Sequence, residues 1–368
     1  MASGYTRFDF IDQFRGFVGV LMLLGHSSYY LNSIWNTLDP LDPLFPDYAQ
    51  FLLRYAGYLC APGFLMMAGA MVWWSYRRRI RKGISRRQAK WHLIQRALFL
   101  ILVQVTWVNS SWSGFQYFRP GHLGIISTIG ISVLFLTVLV DKSWIIRLAA
   151  GTAILLIHPL LLRVDYDHSS VWQRILMQIF VEAGSFNKYP VLPWFALALL
   201  GSVMATGWLE YWKSPRERFR YSMLTGSAAL FVAALIRISR IAYGNIFPHA
   251  GIGSLSFYID QKYPPSLYMN LWFFGLVVWG VGIFSVLSRK IPRLMNILSI
   301  PGRVPLFFYG VHIAILGIVV KRTGWWYRQG GVGTALAGLL LMLAVMLPLS
   351  IWFYRIKRKS NNYIISLI

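Results

Sequence analysis

Acid and cysteine are what this chain has least of. Twelve aspartates and glutamates stand against 36 lysines and arginines in 368 residues, and there is one cysteine, Cys60. A lone cysteine excludes an intrachain disulfide and any multi-thiolate metal site, so no metal is expected. Charged residues of both signs make up only 13% of the chain, against about 25% in a typical soluble domain. A water-soluble globule is therefore excluded. The chain also lacks a small-residue cleavage site after its first apolar run, which Arg7, Asp9, Asp12 and Arg15 precede, so the first helix is expected to stay in the protein. No internal repeat, low-complexity tract or long linker interrupts it, and one membrane domain over residues 1–368 is the expectation.

What is present is hydrophobic: 57% of residues, in runs that recur from end to end. Several exceed the roughly 18 residues needed to cross a bilayer. Spans are expected near 14–32, 50–76, 91–109, 122–140, 144–162, 190–208, 221–243, 266–287, 304–320 and 332–354. The fold class is thus an all-α, polytopic membrane bundle of about ten helices. A net charge of +24 does not point to nucleic acid, because the basic residues sit in short bursts between apolar segments. With both termini in the cytoplasm, roughly two thirds of the lysines and arginines fall on the inner side, as local charge bias requires. The outer loops differ in kind. The first holds Asp39, Asp42 and Asp47 among prolines, and the third contains an amphipathic stretch, VWQRILMQIF, expected to lie at the membrane surface. Residues 244–265 are rich in glycine and proline and read as an ordered loop.

Polar groups placed in hydrocarbon are costly, so they are the informative ones. His26 stands twelve residues into the first span, about 18 Å along a helix and toward the outer leaflet. His312 falls near the middle of the ninth span. Arg237 and Arg240 share a face at the outer end of the seventh, and Arg54 opens the second. These groups are candidates to line one outward-opening cavity. Each has a second reading. A membrane histidine also serves as an interhelical hydrogen-bonding group, Arg237 and Arg240 snorkel to headgroups, and the cluster at 77–90 orients the chain and contacts lipid phosphate.

Five motifs then occur in order. They are Phe10-Ile11-Asp12-Gln13-Phe14-Arg15-Gly16 with His26; Arg54 with Cys60-Ala61-Pro62-Gly63-Phe64; Tyr189-Pro190-Val191-Leu192-Pro193-Trp194; Lys262-Tyr263-Pro264-Pro265-Ser266-Leu267; and Gly302-Arg303-Val304-Pro305-Leu306-Phe307-Phe308-Tyr309 with His312. From about residue 7 to 313 the chain resembles the bacterial relatives of heparan-alpha-glucosaminide N-acetyltransferase. The resemblance implies transfer of an acyl group, normally acetyl, from cytosolic acyl-CoA to a sugar or glycolipid on the far side of the inner (plasma) membrane. It implies His26 as the catalytic base. Arg54, Arg237 and His312 then hold acceptor or oxyanion, and Arg77, Arg78, Arg79 and Arg303 hold the phosphates of acetyl-CoA. The pattern departs at two places. Relatives often carry an acid where Gly25 stands and a histidine where Tyr58 stands. The acid that would orient His26 must then come from Asp39, Asp42 or Asp47, since Asp12 lies at the opposite face. The alternative reading is a non-catalytic subunit that keeps the fold and packs against other membrane proteins or a second copy of itself. Expected partners under either reading include membrane lipids, and exclude nucleic acid.

Overall fold

The structure, a computed structural model, describes residues 8–36, 45, 47–239, 243–245 and 252–367. Arg7, Asp39, Asp42 and Arg240 lie outside the described residues. Among those described there is no strand, only three isolated bridges that pin loops together. The chain is a multi-pass membrane protein built from helices.

The first helix, α1, runs Asp9–Leu31. Tyr48–Tyr58 (α2) and Cys60–Arg81 (α3) form one long run that opens at Leu59. The opening has a local cause: Pro62 brings no N–H for the Tyr58 carbonyl. Next comes Arg86–Val103 (α4), prolonged by a π turn through Ser111, then Ile125–Leu139 (α5) and Trp144–Leu161 (α6). Val171–Phe180 (α7) is the expected surface helix, with Trp172 77% exposed. Val191–Thr206 (α8), Pro215–Ile238 (α9) and Leu267–Lys290 (α10) follow, the last capped by Ser266. Pro292–Arg303 (α11) and Pro305–Leu316 (α12) meet at Val304, and Val332–Lys359 (α13) and Tyr363–Leu367 (α14) end the chain. The basic inner loop expected near 288–303 is therefore largely a helix, with Leu294 and Ile297 on its exposed face.

Eight of these runs are long and apolar enough to cross a bilayer: 48–81, 86–111, 144–161, 191–211, 215–238, 267–290, 305–322 and 332–359. The two other expected spans coincide with α1, whose Arg15, His26, Ser27 and Ser28 dilute its apolar character, and with α5, which is apolar but short. Burial separates inner from outer helices. In α8, Trp194, Leu197 and Leu199 are fully buried, whereas α9 and α13 expose Phe231, Leu340 and Leu341 to what must be lipid.

The start of α1 and the end of α13 sit at one face. Asp9 pairs with Arg303, whose guanidinium lies over Tyr354 in α13. At the same end Glu210 takes Arg77 and Arg81, and the Tyr363 hydroxyl donates to Gln95 Oε1 at 2.5 Å. At the opposite face Asn32 bridges to Gly330, and His122 meets the Ser185 carbonyl at 2.9 Å.

Two backbones touch where α1 crosses α11. A Cβ on Gly302 would lie 1.8 Å from the Asp12 carbonyl oxygen, and one on Gly16 would lie 1.6 Å from that of Leu298. Only glycine permits this approach, and it fixes the height of α1 against the α11–α12 unit. Gly302→Ala should therefore cost about 1–3 kcal/mol by overpacking, read as a lower melting point in detergent. Gly333→Ala, where no atom lies within 4 Å, should leave melting unchanged or raise it slightly; equal losses at both sites would refute the close-contact account.

Candidate active site at the His26–His312 pair

His26 on α1 and His312 on α12 are brought together across 286 residues: His26 Nδ1 lies 2.8 Å from His312 Nε2, with the rings stacked at 5.1 Å. His312 is fully buried and its other nitrogen, Nδ1, lies 2.6 Å from the Phe308 carbonyl oxygen. A carbonyl only accepts, so Nδ1 of His312 carries the proton. Its Nε2 is then a lone pair, which accepts from His26 Nδ1–H. That assignment leaves the lone pair of His26 on Nε2, and His26 is only half-buried. Trp112 and Tyr309 stand edge-on to its ring at 5.1 and 5.8 Å. The order Phe308 carbonyl, His312, His26 therefore fixes both tautomers and leaves one imidazole nitrogen free to take a proton.

A cavity of about 110 Å³ reaches Tyr309, whose ring stands edge-on to both histidines. Its wall is apolar and includes Met22, Met67, Met71 and Ile129, with Tyr309 at the histidine end. Arg15 and Arg96 lie at the basic end, where Leu367 of α14 also contributes. Arg15 is held by Asp12 at 3.3 Å. Eleven residues of α1 separate Arg15 from His26, about 16 Å of rise.

The other residues singled out from the sequence fall elsewhere. Arg237 is 2% exposed, with its Nη groups donating to the Ser256 and Ile259 carbonyls at 2.7 and 2.8 Å and to Asn245 at 3.2 Å. The fully buried Asp260 carboxylate stands 3.7 Å away. This arginine ties down the loop before α10. Arg54 donates to the Trp35 carbonyl and lies over the Trp35 ring at 4.0 Å, anchoring the first loop. Arg77 pairs with Glu210 at 3.1 Å, Arg78 is exposed, and both Arg79 and Arg303 stand at the basic face away from the pair. Asp47 caps α2, accepting from the Gln50 N–H at 2.8 Å, so it is not the acid that orients His26. Gly25 faces Gly57, 3.9 Å from where its Cβ would stand. The group that meets His26 Nδ1 among the described residues is His312.

The catalytic-domain family model of heparan-alpha-glucosaminide N-acetyltransferase matches residues 7–240. The chain belongs to this family. No curated protein matches it. The match covers His26, Arg15 and Arg96 and stops before His312 and Lys262, so the heparan-alpha-glucosaminide N-acetyltransferase segment alone does not contain the whole pair. Sequence reasoning passed over Arg96 and Tyr309 as site residues. An arginine where the basic start of α4 gives way to the apolar run at 97–103 was the available signal for Arg96.

Because Arg237 faces a buried carboxylate, Arg237→Met should cost about 3–5 kcal/mol by removing the guanidinium of a buried ion pair. Melting in detergent would report it. A variant that melts like the parent would return Arg237 to the ligand-binding residues.

Proposed function

We propose that the chain is a membrane acetyltransferase that passes acetyl from cytosolic acetyl-CoA to a sugar or glycolipid hydroxyl or amine arriving from the far side of the plasma membrane. The observation that carries this reading is the cavity joining two arginines at the basic face to the ring of Tyr309, which touches His26. The basic face belongs in the cytoplasm by its lysine and arginine bias, so an anionic donor meets Arg15 and Arg96 from the cytosol. Charge-assisted contacts from guanidinium suit phosphate oxygens. The roughly 16 Å between Arg15 and His26 is the gap a phosphopantetheine arm has to bridge to present a thioester at the imidazole. The place of His26, toward the outer end of α1, suits an acceptor that never enters the cytosol.

In this mechanism His26 Nε2 removes the proton from the acceptor nucleophile, which attacks the thioester carbonyl carbon. His312 is a positioning residue. Its lone pair holds the Nδ1–H of His26, and when His26 becomes imidazolium that hydrogen bond gains a full positive charge on the donor and strengthens. The fully buried His312 is held in turn by the Phe308 carbonyl. Arg15, Arg96 and the apolar wall hold the donor. The subunit reading gives no use to a half-buried imidazole with a free nitrogen beside such a cavity.

Purified protein in liposomes, supplied with acetyl-CoA and glucosamine as probe acceptor, tests the reading. His26→Ala should abolish thiol release, and His312→Ala should lower kcat about 10²–10⁴-fold, the usual range of a general base and its orientation. Arg15→Gln with Arg96→Gln should raise the KM for acetyl-CoA about 10–100-fold, the loss of a charged hydrogen bond or two. Replacing Arg77, Arg78 and Arg79 together should change KM little. Full turnover in His26→Ala would end the proposal. Its topology has a separate check: cysteines at Ser85 and Asn36 should label from opposite sides of intact cells, and labelling of both from outside would reverse the direction of transfer.

A further inference from the structure

Among the described residues, Lys262 is a cation near the histidine pair that no carboxylate answers. It is 7% exposed, in the segment leading into α10. Its Nζ donates to the Gly57 carbonyl at 3.1 Å, at the point where the α2–α3 run opens. The same ammonium lies 5.0 Å from the ring centre of Tyr58 and 5.5 Å from that of Tyr263. Among the described residues no carboxylate pairs with it. The nearest acid in sequence, Asp260, faces Arg237.

The position of this ammonium relates it to the histidine pair. Gly57, whose carbonyl it grips, packs against Gly25, the residue before His26. Lys262 is within electrostatic reach of both His26 and Cys60. Its backbone is pinned by the bridge to Pro265, and the adjoining Tyr263 hydroxyl meets the Tyr189 hydroxyl at 2.9 Å. An ammonium held rigidly in a dry site with one carbonyl for a partner is costly at rest. It becomes favourable when negative charge appears beside it, which is how preorganised electrostatics lower a barrier.

We propose that Lys262 is a second catalytic residue, supplying the fixed positive charge that stabilises the oxyanion of acetyl transfer. This rests on the acetyltransferase reading above. As His26 Nε2 takes the acceptor's proton, the acceptor lone pair forms a bond to the carbonyl carbon of the thioester. The π electrons of that carbonyl move onto oxygen, which faces the Lys262 ammonium. The C=O bond then re-forms, the C–S bond breaks, and the sulfur leaves with the bonding pair and takes the proton from the His26 imidazolium. The products are acetylated acceptor and free CoA thiol, with both histidines back in their starting tautomers.

The test measures thiol release from acetyl-CoA, with glucosamine as probe acceptor, in proteoliposomes holding full-length protein. CoA binding by calorimetry serves as a check on folding. Lys262→Met should lower kcat by about 10²–10³-fold, as loss of one oxyanion donor does, while CoA affinity stays within about threefold. Lys262→Arg should recover much of the rate, because it keeps the charge, and a purely structural lysine would show no such split between kcat and binding. If the methionine variant fails to assemble, Lys262→Gln, which retains a donor for the Gly57 carbonyl, replaces it with the same expected loss. Turnover within a few-fold of the parent in Lys262→Met or Lys262→Gln, alongside an inactive His26→Ala, would overturn the role of Lys262 and leave the acetyltransferase reading standing. Thiol release that survives in His26→Ala, or is absent in the parent protein, would overturn both.

Discussion

The hydrogen bond between His26 and His312 is the contact on which the geometry of the site depends, because it joins the two helices that have to agree in height and rotation before any chemistry is defined. At 2.8 Å it allows little slack. Its direction is set from one side only, by the Phe308 carbonyl that fixes the proton of His312. The rest of the bundle serves this alignment. Glycine contacts between α1 and α11 lock the inner halves of the same two units, so the outer halves arrive with His26 facing His312. Trp112, from the end of the α4 run, then closes one side of the imidazole.

A second constraint sorts the cations. Charge inside a bilayer has to be answered by a partner, by a ring or by something that binds. Arg147 is answered within the fold: Ser202 and Thr206 take its donors and Trp73 lies beneath it at 5.4 Å. Arg237 has Asp260 and three loop acceptors. Arg77 and Arg81 share Glu210. Arg15 has Asp12 yet still lines the cavity with Arg96, for which no acid partner exists among the described residues. Lys262 has one carbonyl and two aromatic faces. Of these, Arg96 lines the basic end of the cavity, and Lys262 sits where the α2–α3 run opens, beside Gly57.

This arrangement also accounts for the departure at Gly25. A triad needs a third group to hold the base in its reactive tautomer, and in the proposed mechanism a neutral histidine with its own proton pinned takes the place of a carboxylate, without placing a negative charge in the membrane. Gly25 is then free to face Gly57 and bring α1 against the α2 opening, which is where the Lys262 ammonium is anchored.

The sequence by itself determined the class of the molecule and the order of its apolar runs, and it singled out His26 and His312 as costly groups within them. Hydrocarbon imposes this: a span must be about 20 apolar residues long, and a histidine within one is conspicuous. Motif order carried the family resemblance without any contact being known. Which cations the fold neutralises was decided only by the tertiary structure. Arg237 and Arg15 look alike along the chain, each an arginine near the end of an apolar run, and what separates them is the presence of Asp260 beside one and of a cavity beside the other. The tautomer of His26 likewise depends on a carbonyl four residues before His312, and the placement of Lys262 depends on a helix opened by Pro62 some 200 residues earlier. Charge and periodicity are local properties of a sequence, whereas satisfaction of a buried charge is a property of everything packed around it.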